Sequence, residues 1–126
     1  MGPEHEFSAE LYLSWSETRE LQAEGMVIGG HSHWHPALSN LETKQQRADL
    51  TTCARQLRRG LRPQASWPFS YPYGAFSQTT VEILRELDFD CSFALEVGLN
   101  AVGHDRFRLR RFDTNDVPAL LEASCQ

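Results

Sequence analysis

Ile28-Gly29-Gly30-His31-Ser32-His33-Trp34-His35-Pro36 is the stretch on which the reading of this chain turns. Three of the five histidines alternate within it, glycines precede them and a proline follows. Imidazole is the commonest protein metal ligand. The apolar run Met26-Val27-Ile28 leads in, bounded by Gly25 and Gly29, and reads as a short buried strand. The histidines therefore begin just past the carboxyl end of a strand, where α/β folds collect ligands and chemistry. His31 and His35 can converge on one metal if the chain curls there, and His33 is a third candidate. Catalytic zinc takes three protein ligands and keeps one position open. Two histidines are thus an incomplete site, and a histidine-rich loop held by packing is the alternative.

Outward from this stretch, the chain alternates between helices and strands. Residues 1–13 read as an irregular leader or loop. Ser14 and Glu17 have the capping-box spacing for a helix from Trp15 to about Glu24, stopped by Gly25. Leu50, Cys53, Ala54 and Leu57 recur at helical spacing within Glu42 to Arg59, and Gly60 ends that run. Ser66 to Gly74 sets aromatics between prolines, so Phe69 closes a short strand and regular structure stops beyond it. Ser77 caps a third helix, Gln78 to Leu87. Phe89 to Leu95 reads as a strand with Cys91, Phe93 and Leu95 on one side. Phe107 to Phe112 reads as another, with Phe107, Leu109 and Arg111 aligned. Asn115 or Asp116 caps a last helix that has Pro118 in its first turn. This order predicts an α/β domain over 14–126, built on a parallel sheet or a β/α barrel.

A formal net charge of −5 over 126 residues argues against a nucleic-acid binder, which presents a basic surface. The arginines at 55, 58, 59 and 62 and at 106, 108, 110 and 111 read as solvated faces. No apolar run is long enough for a membrane segment. The start lacks the order of a signal peptide, so the chain as given reads as cytoplasmic. Cys53, Cys91 and Cys125 form no metal or redox motif. The first two read as small buried residues and the last as a tail thiol.

Gly30 through Leu38 resembles the His-Ser/Thr-x-x-His-Pro signature of the polysaccharide deacetylases, the NodB-homology carbohydrate esterases. Phe69-Ser70-Tyr71-Pro72-Tyr73-Gly74 is similar to the aromatic Pro-Tyr-Gly motif of that family, and Leu109-Arg110-Arg111-Phe112 to a late strand. The resemblance implies a partial, distorted β/α barrel with the first strand-helix units missing. It also implies metal-dependent removal of N-acetyl or O-acetyl groups from a polysaccharide or oligosaccharide. His31 and His35 match two ligands of a divalent metal, zinc. Ser32 matches the hydroxyl residue that supports their loop. Tyr73 matches the residue whose backbone N–H faces the developing oxyanion, on a turn fixed by Pro72 and Gly74. Trp34 and Tyr71 are candidate sugar contacts.

The departures from the family pattern are specific. The Asp-Asp run that supplies a general base and a third ligand has no counterpart, and no aspartate precedes His31. Ser70 stands where the family has arginine, and Arg111 is the candidate to reach in from the late strand. No late Leu-x-x-His is found, and His104 lies in a polar loop. The expectation is an impaired deacetylase-like chain whose open sheet edge is covered in a homodimer. The alternatives are a non-catalytic carbohydrate-binding remnant and a small metal-binding interaction module.

Overall fold

The computed structural model describes residues 3–124. Five helices, α1 (Pro3–Leu11), α2 (Trp15–Ala23), α3 (Thr43–Gly60), α4 (Gln78–Glu86) and α5 (Val117–Ser124), accompany two short strands, β1 (Pro68–Ser70) and β2 (Cys91–Phe93). The strands pair in parallel, with Phe69 opposite Ser92. Single parallel bridges extend the layer on both sides, Gly30 to Phe69 and Phe93 to Leu109. Four chain segments thus run side by side in one direction as a partial α/β layer, with α3 and α4 crossing over between the first three and an irregular loop leading to the fourth.

Local chemistry fixes the helices. Ser14 caps α2 with the full capping box, its side chain accepting from the N–H of Glu17 while the Glu17 carboxylate accepts from the N–H of Ser14. At the other end Gly25 adopts φ 95°, and the N–H of Met26 closes on the carbonyl of Leu21 at 3.0 Å, the Schellman stop. α3 buries Gln46, Asp49, Leu50, Cys53 and Ala54 along one stripe. α4 buries Thr80, Val81, Ile83 and Leu84 against it. Where the two helices meet, the Thr80 hydroxyl donates to Gln46 at 2.6 Å, and the Gln46 amide donates to the Leu41 carbonyl at 3.0 Å. That satisfies a buried polar pair that would otherwise be costly. The core gathers Leu38, Leu50, Phe69, Tyr71, Leu84, Phe89 and Phe107 beneath the sheet.

Several expectations change. The leader expected over 1–13 contains α1. Met26 and Val27 are exposed and unladdered, so the strand expected there shrinks to the bridge at Gly30. Ile28 instead pairs with a side chain: its N–H donates to Gln64 at 2.9 Å, and the Gln64 amide donates back to its carbonyl at 2.8 Å. In β2 the buried side is Ser92, followed by Ala94, while Leu95 is exposed. The face expected from Cys91, Phe93 and Leu95 is the opposite one, because the small residues are those pressed under the neighbouring segments. The strand expected over 107–112 is likewise only the Leu109 bridge. A 3-10 turn, Thr114–Asp116, leads into α5, and Asp113 caps it, accepting from the N–H of Asn115 at 2.9 Å. Cys53 is buried and Cys91 half-buried. The thiol expected at Cys125 lies outside the described residues.

The arginine clusters knit the fold together. Arg58 donates to the Leu87 and Asp88 carbonyls and lies over Trp67 and Phe89, while Arg85 and Arg106 lie over Phe107. Arg108 and Arg110 pair with Glu96. Among the described residues no helix is long and apolar enough to cross a membrane.

Candidate active site at the carboxyl ends of the parallel segments

Each parallel segment delivers a candidate residue just beyond its carboxyl end. Gly30 leads into the histidine loop, β1 into Tyr71–Gly74, β2 into Leu95 and the Leu109 bridge into Arg111. This is the end of an open α/β sheet at which ligands bind. The sheet can carry the histidine loop so closely because Gly30 has no side chain. A Cβ there would sit 2.9 Å from the Phe69 ring and 3.1 Å from that of Phe89.

His31 and His35 meet edge to face, with ring centroids 4.8 Å apart, and the Tyr73 ring packs on His35 at 4.9 Å. Nδ1 of His31 lies 2.7 Å from the Ser70 carbonyl. A carbonyl only accepts, so Nδ1 carries the proton, and in the neutral ring the lone pair is on Nε2. A ring nitrogen oriented in this way through its partner nitrogen is the usual arrangement of a metal-ligating histidine. The Ser32 hydroxyl accepts the His35 N–H at 2.8 Å. Ser32 and His35 both sit in the left-handed region, at φ 65° and 57°, which is uncommon for residues with side chains.

Tyr73 is the third left-handed residue here, at φ 57°, inside a tight turn that follows buried Pro72. Gly74 completes the turn at φ 65°, where a Cβ would strike Leu95 at 2.7 Å. The Arg111 guanidinium reaches across to donate to the Ser70 hydroxyl at 3.3 Å. Arg111 thus contacts the very residue that stands in the arginine position of the aromatic motif. Trp34 is exposed at the mouth, its ring against that of His33 at 4.5 Å.

Two candidates are not at the site. Tyr71, expected among the sugar contacts, is completely buried. Its hydroxyl donates to the Phe107 carbonyl at 2.7 Å, and its ring stacks on Phe76 at 4.3 Å. It is a core residue because the prolines turn the chain inward at this point. His104 bonds to the Arg108 carbonyl at 2.9 Å and holds its own loop.

One residue was missed by the sequence reading. Asp49 on α3 is buried, and its two carboxylate oxygens accept the N–H groups of His33 at 3.0 Å and Trp34 at 2.8 Å. An acid in phase with Leu50, Cys53 and Ala54 on an apolar stripe requires a partner. That misfit was visible in the sequence. Beside it, burial pushes the Cys53 thiol up to about 11, against the opposing pull of the His31 and Ser32 amides.

The donor chemistry of His31 and His35 fits two corners of a tetrahedral zinc site. No group of three histidine, cysteine, aspartate or glutamate side chains able to hold a metal occurs among the described residues. His31 and His35 thus offer two imidazole donors, one short of the three protein ligands that a catalytic zinc takes.

The sequence model of the polysaccharide deacetylase family matches residues 4–92. Solved structures with the same fold include the Streptococcus pyogenes deacetylase PplD in complex with acetate, 20% identical with a TM-score of 0.75, the match covering 93% of this chain and 53% of that one. The deacetylase domain of BpsB from Bordetella bronchiseptica is 22% identical with a TM-score of 0.70, over 79% of this chain and 48% of that one. IcaB from Ammonifex degensii is 27% identical with a TM-score of 0.72, over 86% of this chain and 52% of that one. This chain spans about half the length of the structures it matches. No curated protein sequence matches it significantly.

Proposed function

Because the chain belongs to the polysaccharide deacetylase family, we propose that its histidine loop serves metal-dependent hydrolysis of acetyl groups on a polysaccharide. The observation that carries this reading is the His31–His35 pair, with Nδ1 of His31 committed to the Ser70 carbonyl. That commitment reserves Nε2 for a cation. Zinc, when bound, supplies a Lewis acid and lowers the pKa of its water. The chain's own residues do the rest. The Tyr73 peptide, held by Pro72 and Gly74, offers its N–H to the oxyanion that forms as the acetyl carbon becomes tetrahedral. Arg111 steadies Ser70 and, through its carbonyl, His31. Trp34 offers a face to the sugar.

A general base and a third ligand are the parts this reading lacks. The absence of a three-residue metal cluster among the described residues favours a chain that turns over poorly alone. A missing base by itself lowers the rate by about 10²–10⁴-fold. In the complete activity those groups come from chain outside the described residues, which also extends the layer toward a barrel.

Metal analysis of the purified chain, combined with acetate release from N-acetylglucosamine oligomers, tests this. Zinc uptake that is lost in both His31→Ala and His35→Ala, with slow zinc-dependent acetate release, is the expected result. Equal zinc in both variants and the unsubstituted chain overturns the ligand assignment. Zinc binding without any acetate release supports the non-catalytic alternative.

A further inference from the structure

The underside of the histidine loop is bound by one face of α3. The N–H groups of His33 and Trp34 go to the two oxygens of Asp49, at 3.0 and 2.8 Å. The His35 N–H goes to the Ser32 hydroxyl at 2.8 Å. The N–H groups of His33, Trp34 and His35 therefore each have a side-chain acceptor, and two of the three go to one buried carboxylate on α3.

We propose that Asp49 is the positioning residue of the histidine pair, holding the loop in the curl that brings His31 and His35 together. The inference rests on the reading above only in taking these two rings as the ligands. A carboxylate suits the place because it presents two acceptors to two donors. Asparagine presents one acceptor and one NH2 group, so it must turn a donor against either the His33 or the Trp34 N–H. Ser32 and His35 are held at φ 65° and 57°, and such conformations persist only where surrounding contacts over-determine them. With the underside released, the loop relaxes and the rings part.

The test uses the full chain carrying Asp49→Asn, with Arg47→Ala as control. Arg47 lies on the same helix and pairs with Glu86 of α4 at the surface. Two readouts are taken: Zn²⁺ affinity by chelator competition, and the imidazole ¹H–¹⁵N spectrum of the metal-free protein. Asp49→Asn is expected to weaken Zn²⁺ binding by about 10–100-fold, the usual range for a group supporting a ligand. It is also expected to abolish the distinct Nδ1–H tautomer signal of His31. Arg47→Ala, which removes an exposed ion pair on the same helix, is expected to preserve both with little change in Tm. An unchanged His31 signal in Asp49→Asn, or an equal loss in Arg47→Ala, overturns the proposal. If the unsubstituted chain binds no Zn²⁺, the metal reading fails and the imidazole spectrum alone decides this one. If Asp49→Asn does not fold, Asp49→Glu is used; its extra methylene pushes the loop outward, and unchanged binding and spectrum there count against the proposal.

Discussion

Three residues with side chains, Ser32, His35 and Tyr73, adopt left-handed conformations within one small site. Each costs on the order of 1–3 kcal/mol unless its surroundings compensate. Beneath the histidine loop Asp49 accepts the N–H groups of His33 and Trp34, while Cys53 and Tyr71 lie buried in the core below. Burial pushes the Cys53 thiol up to about 11 and the Tyr71 hydroxyl up to about 12. Both hold their protons more tightly in the folded chain than in the unfolded one, where they titrate near 9.0 and 10.0. Stability from this source is fully present below pH 9 and is lost as the pH rises through the folded values. For Cys53 the loss is roughly 2–3 kcal/mol by the conversion of pKa shift to free energy. The urea midpoint is expected to stay level from pH 7 to 8.5 and to fall from about pH 9 upward, with Cys53→Ala removing the first part of that fall. A midpoint unchanged to pH 11 would contradict the burial of these groups.

At the scale of elements, the helices after α1 were legible because their signals are local. Ser14 with Glu17, Ser77 and the Leu50, Cys53, Ala54 spacing each state a helix within one or two turns. The strands were not, because a strand is defined by its neighbours. Met26-Val27-Ile28 has the composition of a strand, yet its partner is the Gln64 side chain rather than a second backbone. The order and spacing of the His31–His35 and Tyr71–Gly74 motifs carried most of the site. Asp49 stood out as an acid on an apolar stripe, but its partner was hidden, because that depends on α3 folding back under a loop 15 and 16 residues earlier, a contact no local pattern reveals. The Gln64 pairing makes a prediction at this scale. Gln64→Leu keeps the bulk but deprives the Ile28 N–H and carbonyl of their partners, at about 1–3 kcal/mol for each group left buried and unpaired. Amide exchange at Ile28 and Gly30 should accelerate well beyond that at Leu50, in the core of α3. Uniform acceleration across the chain would mean instead that Gln64 supports the fold globally.

The molecule as a whole is a parallel layer with helices and an unmatched border. On the inner side Gly30 is tied into the sheet, its N–H donating to the Pro68 carbonyl at 2.9 Å and its carbonyl accepting from Ser70 at 2.9 Å. On the outer side no further strand lies alongside Met26–Gly30 among the described residues, and Met26 and Val27 are each 59% exposed. Phe7, Leu11, Tyr12 and Leu13 add exposed apolar surface from the N-terminal part of the chain. Proteins cover or pair such borders, since an open edge with apolar flanks invites another chain. This chain spans about half of the deacetylase structures it resembles, so in isolation the border has only solvent or a second copy to meet. The isolated chain is therefore expected to self-associate through this edge. Light scattering should give a mass that rises with concentration in the micromolar range, and Met26→Lys with Val27→Lys should return it to the monomer value while leaving the imidazole signals of His31 intact. A monomer at every concentration would show that the edge tolerates water, and the homodimer would then have no physical basis.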